Sequence, residues 1–217
     1  MYGPELARIH HERFGDIAGA AAEELLRRLR DAGIWRGAVA DLGCGSGILC
    51  SILSQAGYAA HGVDRSPDML AIASETAPRA TFHEGSWVDA ELPPGTVAVA
   101  CVGESLNYMD DPAAGVEAIG RLAHRALGAL PPRGLLMLDV AGPGRGGPAG
   151  NTSSFRAGEG WAIGTRAQEF SDRDELVREI SVFSRDGDAW QRADETHRMA
   201  LHNPDALARL LEMTDFH

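Results

Sequence analysis

The sequence lacks several features that would assign it to common classes of protein. Its 217 residues contain only three cysteines, Cys44, Cys50 and Cys101. This odd number without metal-ligand spacing argues against a disulfide framework. No apolar stretch approaches the roughly 20 residues of a membrane span, and the first residues lack the basic and apolar regions of a secretory signal. We therefore expect a cytoplasmic protein with no membrane partner.

Clusters of basic residues are also missing. Lys and Arg together number 20 against 31 Asp and Glu, which gives a net charge of −11. Such a chain is poorly suited to grip a phosphate backbone, so nucleic acid is disfavoured and a small molecule is the default partner. The run His10-His11-Glu12 suggests a metal site at first sight. Consecutive residues cannot converge on one ion from a helix, so we predict no metal.

The apolar pattern predicts a single α/β domain over residues 1–217. Predicted strands near 38–42, 60–63, 80–83, 97–102 and 134–140 alternate with helices near 46–56, 67–76 and 112–129. This alternation predicts a doubly wound, mostly parallel sheet with helices on both faces. Ligands of such sheets bind beyond the carboxyl ends of the strands.

The segments around this core are predicted from their own patterns. Two helices (4–14 and 17–33) make residues 1–34 a helical cap, ahead of a core at 35–141. Glycine and proline predict a loop at 142–160, and period-2 alternation predicts three antiparallel strands (161–170, 175–184 and 190–201) inserted within 142–202. A final helix over 204–213, within 203–217, begins after Asn203 as its N-cap.

A glycine-rich turn follows the first predicted strand. Asp41 ends an apolar run, and Gly43, Gly45 and Gly47 follow at alternate positions before a helical segment. A dinucleotide site of the GxGxxG type requires its third glycine where this chain has Ile48. This substitution makes a nicotinamide oxidoreductase the weakest of the alternatives.

The second predicted strand ends in Asp64, at a position where a carboxylate can accept hydrogen bonds from ribose hydroxyls. The residues that follow are Arg65-Ser66-Pro67-Asp68-Met69-Leu70. With the glycine turn, this pattern resembles the first two motifs of the class I methyltransferases that depend on S-adenosylmethionine (SAM). The resemblance implies a Rossmann-like fold, SAM as cofactor and S-adenosylhomocysteine (SAH) as product.

The resemblance also implies a set of cofactor-binding positions. Ser86 departs from the family pattern, which has an acid there to accept a hydrogen bond from the adenine amino group. The implied positions are Asp41, Gly43, Cys44, Gly45, Ser46, Gly47, Asp64, Arg65, Met69, Gly85, Ser86, Trp87, Gly103 and Glu104.

Candidate residues for the acceptor and the chemistry come from two places. The string from Gly103 to Tyr108 resembles a subset of the family that acts on small molecules, and it makes Glu104 and Tyr108 candidate catalytic groups and Asn107 and Tyr108 candidate substrate contacts. His197, on the last inserted strand, is a candidate general base because its imidazole titrates near neutral pH. Trp161 and Arg166, on the first inserted strand, are further candidate substrate contacts.

The sequence thus predicts methyl transfer from SAM to an oxygen or nitrogen atom of a small-molecule acceptor. The alternative is a SAM- or SAH-binding protein with little or no catalysis. Ser86 and the expected lack of the last two strands of the sheet favour this alternative. Family members follow a pair like Asp215-Phe216 with two edge strands, for which no residues remain. We therefore expect a truncated sheet whose uncovered edge favours a homodimer.

Overall fold

A computed structural model describes residues 2–214 and 216, with the backbone alone at 186. Five parallel strands form the central sheet in the order β3-β2-β1-β4-β5. They are β1 (Ala38–Leu42), β2 (Ala59–Asp64), β3 (Thr81–Glu84), β4 (Thr96–Cys101) and β5 (Leu135–Leu138). The predicted parallel core is confirmed, with each strand within two residues of its expected bounds.

Helices cover both faces of this sheet. They are α2 (Asp16–Asp31), α3 (Ile48–Gln55), α4 (Pro67–Thr76), α5 (Val116–Ala129) and α6 (Pro204–Glu212), and a further helix, α1 (Pro4–Arg13), precedes them in the chain. One apolar core joins α2 and α3 to the sheet through residues such as Leu29 and Leu53, and the other joins α5 and α6 to it through Ile119 and Leu207. Within the described residues no helix is long and apolar enough to cross a membrane.

Polar side chains fix the starts of two helices, and the predicted cap at Asn203 is one of them. Ser66 caps α4 by accepting a hydrogen bond from the Met69 N–H at 3.2 Å, and its own hydroxyl donates to the Tyr2 carbonyl at 2.8 Å. Asn203 caps α6 by accepting from the N–H groups of Asp205 and Ala206. The first of these caps also ties the N-terminal residues to the end of β2.

The second sheet has four antiparallel strands, where the sequence predicted three. They are β6 (Asn151–Gly158), β7 (Trp161–Phe170), β8 (Glu175–Asp186) and β9 (Ala189–Ala200). The prediction of a loop over 142–160 is wrong for β6, which occupies part of that range. Every residue of this strand is exposed. A fully exposed strand that is paired through its backbone to β7 needs no alternation of apolar residues, so no sequence pattern predicts it.

Helix α1 packs on this second sheet, not on the parallel one. Leu6 and Ile9 form a cluster with Trp161, Ile163 and Ile180. The chain therefore brings its first helix, from one end of the sequence, over strands that lie more than 150 residues away. This places α1 between the two sheets.

The amide of Asn107 joins the two sheets at the end of a short 3-10 helix, Ser105–Asn107. Its Nδ2 donates to the carbonyl oxygens of Ala141 and Ala200, and its Oδ1 accepts from the Ala141 N–H at 2.8 Å. Asn107 is 0% exposed. Next to it, Tyr108 pairs with Met199 of β9 in an antiparallel bridge. The segments after β4 and β5 are thereby fastened to the end of β9.

Replacing Asn107 with alanine is expected to lower the free energy of unfolding by about 3 kcal/mol, because it removes three hydrogen bonds, from the Ala141 N–H and to the carbonyl oxygens of Ala141 and Ala200. Urea denaturation measures the loss. The matched control is Asn151→Ala, an exposed residue of β6, for which a change within about 0.5 kcal/mol is expected. Equal effects in the two variants would contradict the role of Asn107 as a joint.

Candidate active site

The glycine turn after β1 is anchored to β2 and leaves space on its outer side. The N–H groups of Gly43 and Cys44 both donate to the Val63 carbonyl, at 2.7 and 3.0 Å. Gly45 has φ +52°, a left-handed conformation that favours glycine, and no atom lies within 4 Å of the position a Cβ would take. A side chain there would project into the adjoining cavity, so the bare backbone suits a ligand held close against the turn.

That cavity has a volume of about 710 Å³ and lies beyond the carboxyl ends of β1, β2 and β4. Its size falls in the usual range for small-molecule sites. Twelve of the fourteen predicted cofactor positions line it, and Gly47 and Ser86 do not. The twelve are Asp41, Gly43, Cys44, Gly45, Ser46, Asp64, Arg65, Met69, Gly85, Trp87, Gly103 and Glu104.

Asp64 links the glycine turn to the start of α4. Its Oδ2 accepts from the Gly45 N–H at 2.8 Å, and its Oδ1 accepts from the Ser66 N–H at 2.9 Å. Burial raises the pKa of this carboxyl, although these backbone hydrogen bonds oppose the shift. A carboxylate offers about four acceptor positions, and the backbone of Arg65 also bonds to Asp64, so at least one position remains for a ribose hydroxyl.

Asp41 lies deeper and is 2% exposed. Burial raises its pKa to about 7, despite a hydrogen bond from the Cys50 thiol at 3.4 Å. The Asp41 carboxyl therefore titrates near neutral pH. A cation bound beside it would favour its ionised form. It lines the cavity beside the glycine turn.

The far end of the cofactor side is formed by the segment after β3. Gly85 and Trp87 line the cavity, while the Ser86 hydroxyl accepts from the Val88 N–H at 3.2 Å. Arg65 extends from the end of β2 and pairs with Asp111 at 3.3 Å. Ser86, at the position implied for the adenine contact, does not line the cavity, whereas its neighbour Trp87 does.

Glu104 is held in an unusual backbone conformation, with φ +63°. The Asp139 carboxylate fixes it by accepting from the N–H groups of Gly103 and Glu104, at 2.8 and 2.7 Å. The Glu104 carboxylate in turn accepts from Arg145 at 2.6 Å and from Arg178 at 2.8 Å. Burial alone would raise the pKa of Glu104, but the two arginines outweigh it and hold the pKa below its usual value.

Two tyrosines meet in the wall of the cavity. The hydroxyls of Tyr2 and Tyr108 lie 3.2 Å apart, and both residues line the cavity. Burial raises the pKa of each phenol, so both stay protonated at neutral pH. The ring of His197 packs behind them, 5.0 Å from that of Tyr2 and 5.5 Å from that of Tyr108.

His197 does not reach the cavity itself. It is 1% exposed, and its Nε2 lies 2.9 Å from Glu195 Oε2. The other oxygen of Glu195 accepts from the Gly3 N–H at 2.9 Å. This pair therefore fixes the N-terminal residues and supports the tyrosine pair from the second sheet.

Three predicted substrate contacts lie outside the cavity. The side-chain amide of Asn107 forms its hydrogen bonds with backbone groups, as described above. Trp161 is buried against Leu6 and Ile163, and Arg166 is exposed on β7. The alternation of β7 instead brings Ile163 and Thr165 to the cavity, on the face that Trp161 shares.

Sequence reasoning missed several residues of the site, among them Tyr2, Asp139 and Arg178. Arg178 did carry a signal, because it shares a strand face with Leu176 and Ile180 and is charged where its neighbours are apolar. Tyr2 carried none, since its partner lies 106 residues away.

Comparisons with known proteins agree with this geometry. A family model described as a methyltransferase domain matches residues 9–217. A putative methyltransferase of Bacillus subtilis, YqeM, is 27% identical over 182 residues, which cover 75% of this chain and 66% of the relative. A ubiquinone biosynthesis O-methyltransferase of Methylococcus capsulatus is 37% identical over 90 residues, which cover 38% of this chain and 37% of the relative. These matches span two thirds or less of either relative.

Solved structures share the fold at low sequence identity. A SAM-dependent methyltransferase from Clostridium acetobutylicum matches with a TM-score of 0.80 and 18% identity, over 96% of this chain and 85% of that one. The sugar N-methyltransferase KedS8 from Streptoalloteichus matches with a TM-score of 0.77 and 22% identity, over 99% of this chain and 87% of that one. With a family model that spans almost the whole sequence, the chain belongs to the class I SAM-dependent methyltransferase family.

Proposed function

We propose that this chain binds SAM and transfers its methyl group to a nitrogen or oxygen atom of a small-molecule acceptor, leaving SAH. The observation that carries the proposal is the composition of one cavity. The glycine turn, Asp64, the tyrosine pair and Arg178 all line it. Cofactor and acceptor therefore have room to meet in one volume.

The cofactor side is assigned to the twelve lining positions named above. Asp64 would hold a ribose hydroxyl with its remaining acceptor capacity, and Asp41 would face the ammonium group of the methionine part, directly or through water. The bare backbone at Gly45 leaves space for that part of the ligand. Helix α1 would act as a cap, since His11 Nδ1 lies 2.9 Å from the Ser46 hydroxyl of the glycine turn.

The acceptor side is built to position a nucleophile. SAM supplies a methyl group on a positively charged sulfur, so an in-line displacement depends mainly on the placement of the attacking atom. Tyr2 and Tyr108 would orient the acceptor through neutral hydroxyls, because their raised pKa values keep them protonated. Glu104, held ionised by two arginines, would shape the site electrostatically, and His197 would support Tyr108 from behind.

Two finer assignments complete the proposal. Strand β5 is an edge of the described parallel sheet, and we propose that it pairs with a second copy of the chain to form a homodimer. We propose a cytoplasmic location, because the three buried cysteines form no disulfide bond in the described structure and reduced cysteines are typical of that compartment. Size-exclusion chromatography showing a stable monomer would count against the dimer.

Calorimetric titration with SAM, SAH and NAD tests the cofactor assignment. SAM and SAH are expected to bind and NAD is not. Asp64→Ala is expected to weaken SAH binding by about ten- to a hundredfold, because hydrogen bonds to a charged group contribute roughly 1.5–3 kcal/mol. The matched control is Glu84→Ala, since Glu84 is the register partner of Asp64 on β3 and is exposed. Unchanged affinity in Asp64→Ala would refute the ribose assignment.

The pH dependence of SAH binding tests Asp41. A carboxyl of pKa about 7 is mostly protonated at pH 6 and mostly ionised at pH 7.5, and only the ionised form attracts an ammonium group. Affinity is therefore expected to rise roughly eightfold over this interval. Asp41→Asn should remove most of the rise while keeping the side-chain volume. A rise of the same size in the variant would exclude Asp41 as its cause.

Tyr108→Phe tests the positioning of the acceptor. With an acceptor found by screening for SAH formation, kcat/KM is expected to fall at least tenfold, because the hydroxyl that orients the nucleophile is lost. The affinity for SAH should stay within twofold. Tyr58→Phe is the control, since its hydroxyl donates to the Ile34 carbonyl away from the cavity. A screen that yields SAH binding but no SAH formation would favour a binding protein without catalysis.

A further inference from the structure

Three of the five arginines that line the cavity come from a later part of the chain than its acidic residues, while Arg13 and Arg65 come from the same part as the acidic residues. The acidic lining residues all belong to residues 16–111 and flank the parallel sheet. Later segments contribute six lining residues, and within the described chain none of the six is acidic. They are Arg145, Ser154, Arg156, Ile163, Thr165 and Arg178. We refer to Arg145, Arg156 and Arg178 as the arginine wall.

Two residues of this wall share one counter-ion. Arg145 Nε and Arg178 Nη2 donate to the two oxygens of Glu104, at 2.6 and 2.8 Å. One carboxylate offsets one guanidinium, so the trio keeps a net positive charge. Each guanidinium has five N–H donors, and most of them remain for another acceptor. With the Arg178 side chain 20% exposed and that of Glu104 18% exposed, this charge is only partly screened by water.

Arg178 is a charged residue on an otherwise apolar strand face, with Glu104 as its partner. It lies on the strand face of Leu176, Ile180 and Val182, all of which are buried. A charge on an apolar face is unfavourable without partners, and an apolar residue would fit the pattern of β8 better. Its register partner across the ladder is His197, which places it beside the tyrosine pair.

Arg156 adds a third cationic group on the same side of the cavity. Its guanidinium lies over the ring of Phe14, 5.1 Å from the centroid. Stacking of this kind occupies the face of the guanidinium and leaves its in-plane N–H donors available. The chain contains no lysine, so all 20 of its basic residues are arginines. Arginine is the side chain suited to paired hydrogen bonds with a carboxylate or phosphate.

We propose that the acceptor carries an anionic group, a carboxylate or a phosphate, that binds to the arginine wall. Arg178 and Arg145 provide the main contact, with Glu104 as their resident counter-ion, and Arg156 serves an acceptor long enough to reach the second charge. This inference rests on the proposed function and narrows its acceptor class. The arginine wall would thus hold the anionic group of the acceptor, and the tyrosine pair would orient the part that contains the reacting atom.

Anion titrations test the wall without a known acceptor. Acetate and inorganic phosphate are titrated separately into the protein, with and without saturating SAH, and the comparison of the two anions distinguishes carboxylate from phosphate. The wild type is expected to bind at least one of them. Arg178→Ala should weaken that binding at least tenfold, and Arg178→Lys should recover part of it. Glu104→Gln should tighten it several-fold, because two guanidinium groups lose their counter-ion.

The control is Arg192→Ala, because Arg192 is an exposed arginine of the adjacent strand β9 and pairs with Asp194 at 3.0 Å outside the cavity. It should bind both anions as the wild type does. Absence of anion binding in the wild type, or an equal loss in Arg192→Ala and Arg178→Ala, overturns the inference. If the wild type does not bind SAH, the proposed function is refuted instead. The anion titration without SAH still measures whether the arginine wall binds an anion.

A panel of acceptors provides the second readout. Amines and alcohols are offered as matched pairs, one member with a free carboxylate or phosphate and the other as its neutral amide or ester. SAH formation is expected to show at least tenfold higher kcat/KM for the anionic member. In Arg178→Ala this preference should collapse to below threefold. Preferential methylation of the neutral members overturns the inference.

Discussion

The arrangement of the two sheets depends on the hydrogen bonds of one buried amide. Asn107 uses both amide hydrogens and its oxygen on the backbones of Ala141 and Ala200. Those residues follow β5 and end β9, so one side chain fixes three separate parts of the chain. Buried amides without partners are costly, which makes this arrangement specific. The position of Tyr108, and with it the acceptor side of the cavity, follows directly from this joint.

The cofactor side and the acceptor side of the cavity are built from two different kinds of structure. The cofactor side uses turns at the ends of parallel strands, of which β1 is buried along its whole length. The acceptor side uses a separate antiparallel sheet, whose inward side chains include Ile163, Thr165 and Arg178. Since methyl transfer requires mainly that two groups meet in line, the acceptor side can differ between relatives while the cofactor side stays the same.

The sequence predicts most of the parallel core, because its signals are local. The strand before Asp41, the glycine turn and Asp64 lie within a few residues of the elements that position them, and Ser66 caps the helix that starts beside it. The second sheet is predicted only where one face is buried, as in β7 and β8. Strand β6 has no buried face and gives no alternation to detect.

The contacts that the sequence does not predict are those between distant residues. Tyr2 meets Tyr108, and Asn107 meets Ala200, 93 residues further along the chain. A pattern within a short window cannot register such pairs. Asn107 was assigned to substrate because it follows a strand of the core, where functional residues gather. Its role in joining the sheets becomes visible only when the end of β9 is placed beside it.

Strand β6 also has a consequence for how the acceptor side can change. None of its eight residues is buried, so its attachment relies mainly on the ladder to β7, with the stacking of Arg156 on Phe14 as a further contact. Segments with few buried contacts open at low free-energy cost. Substitutions along β6, including at Arg156, therefore alter the cavity without disturbing either apolar core. A protein of this design is able to acquire new acceptors at one strand while its stability is set elsewhere.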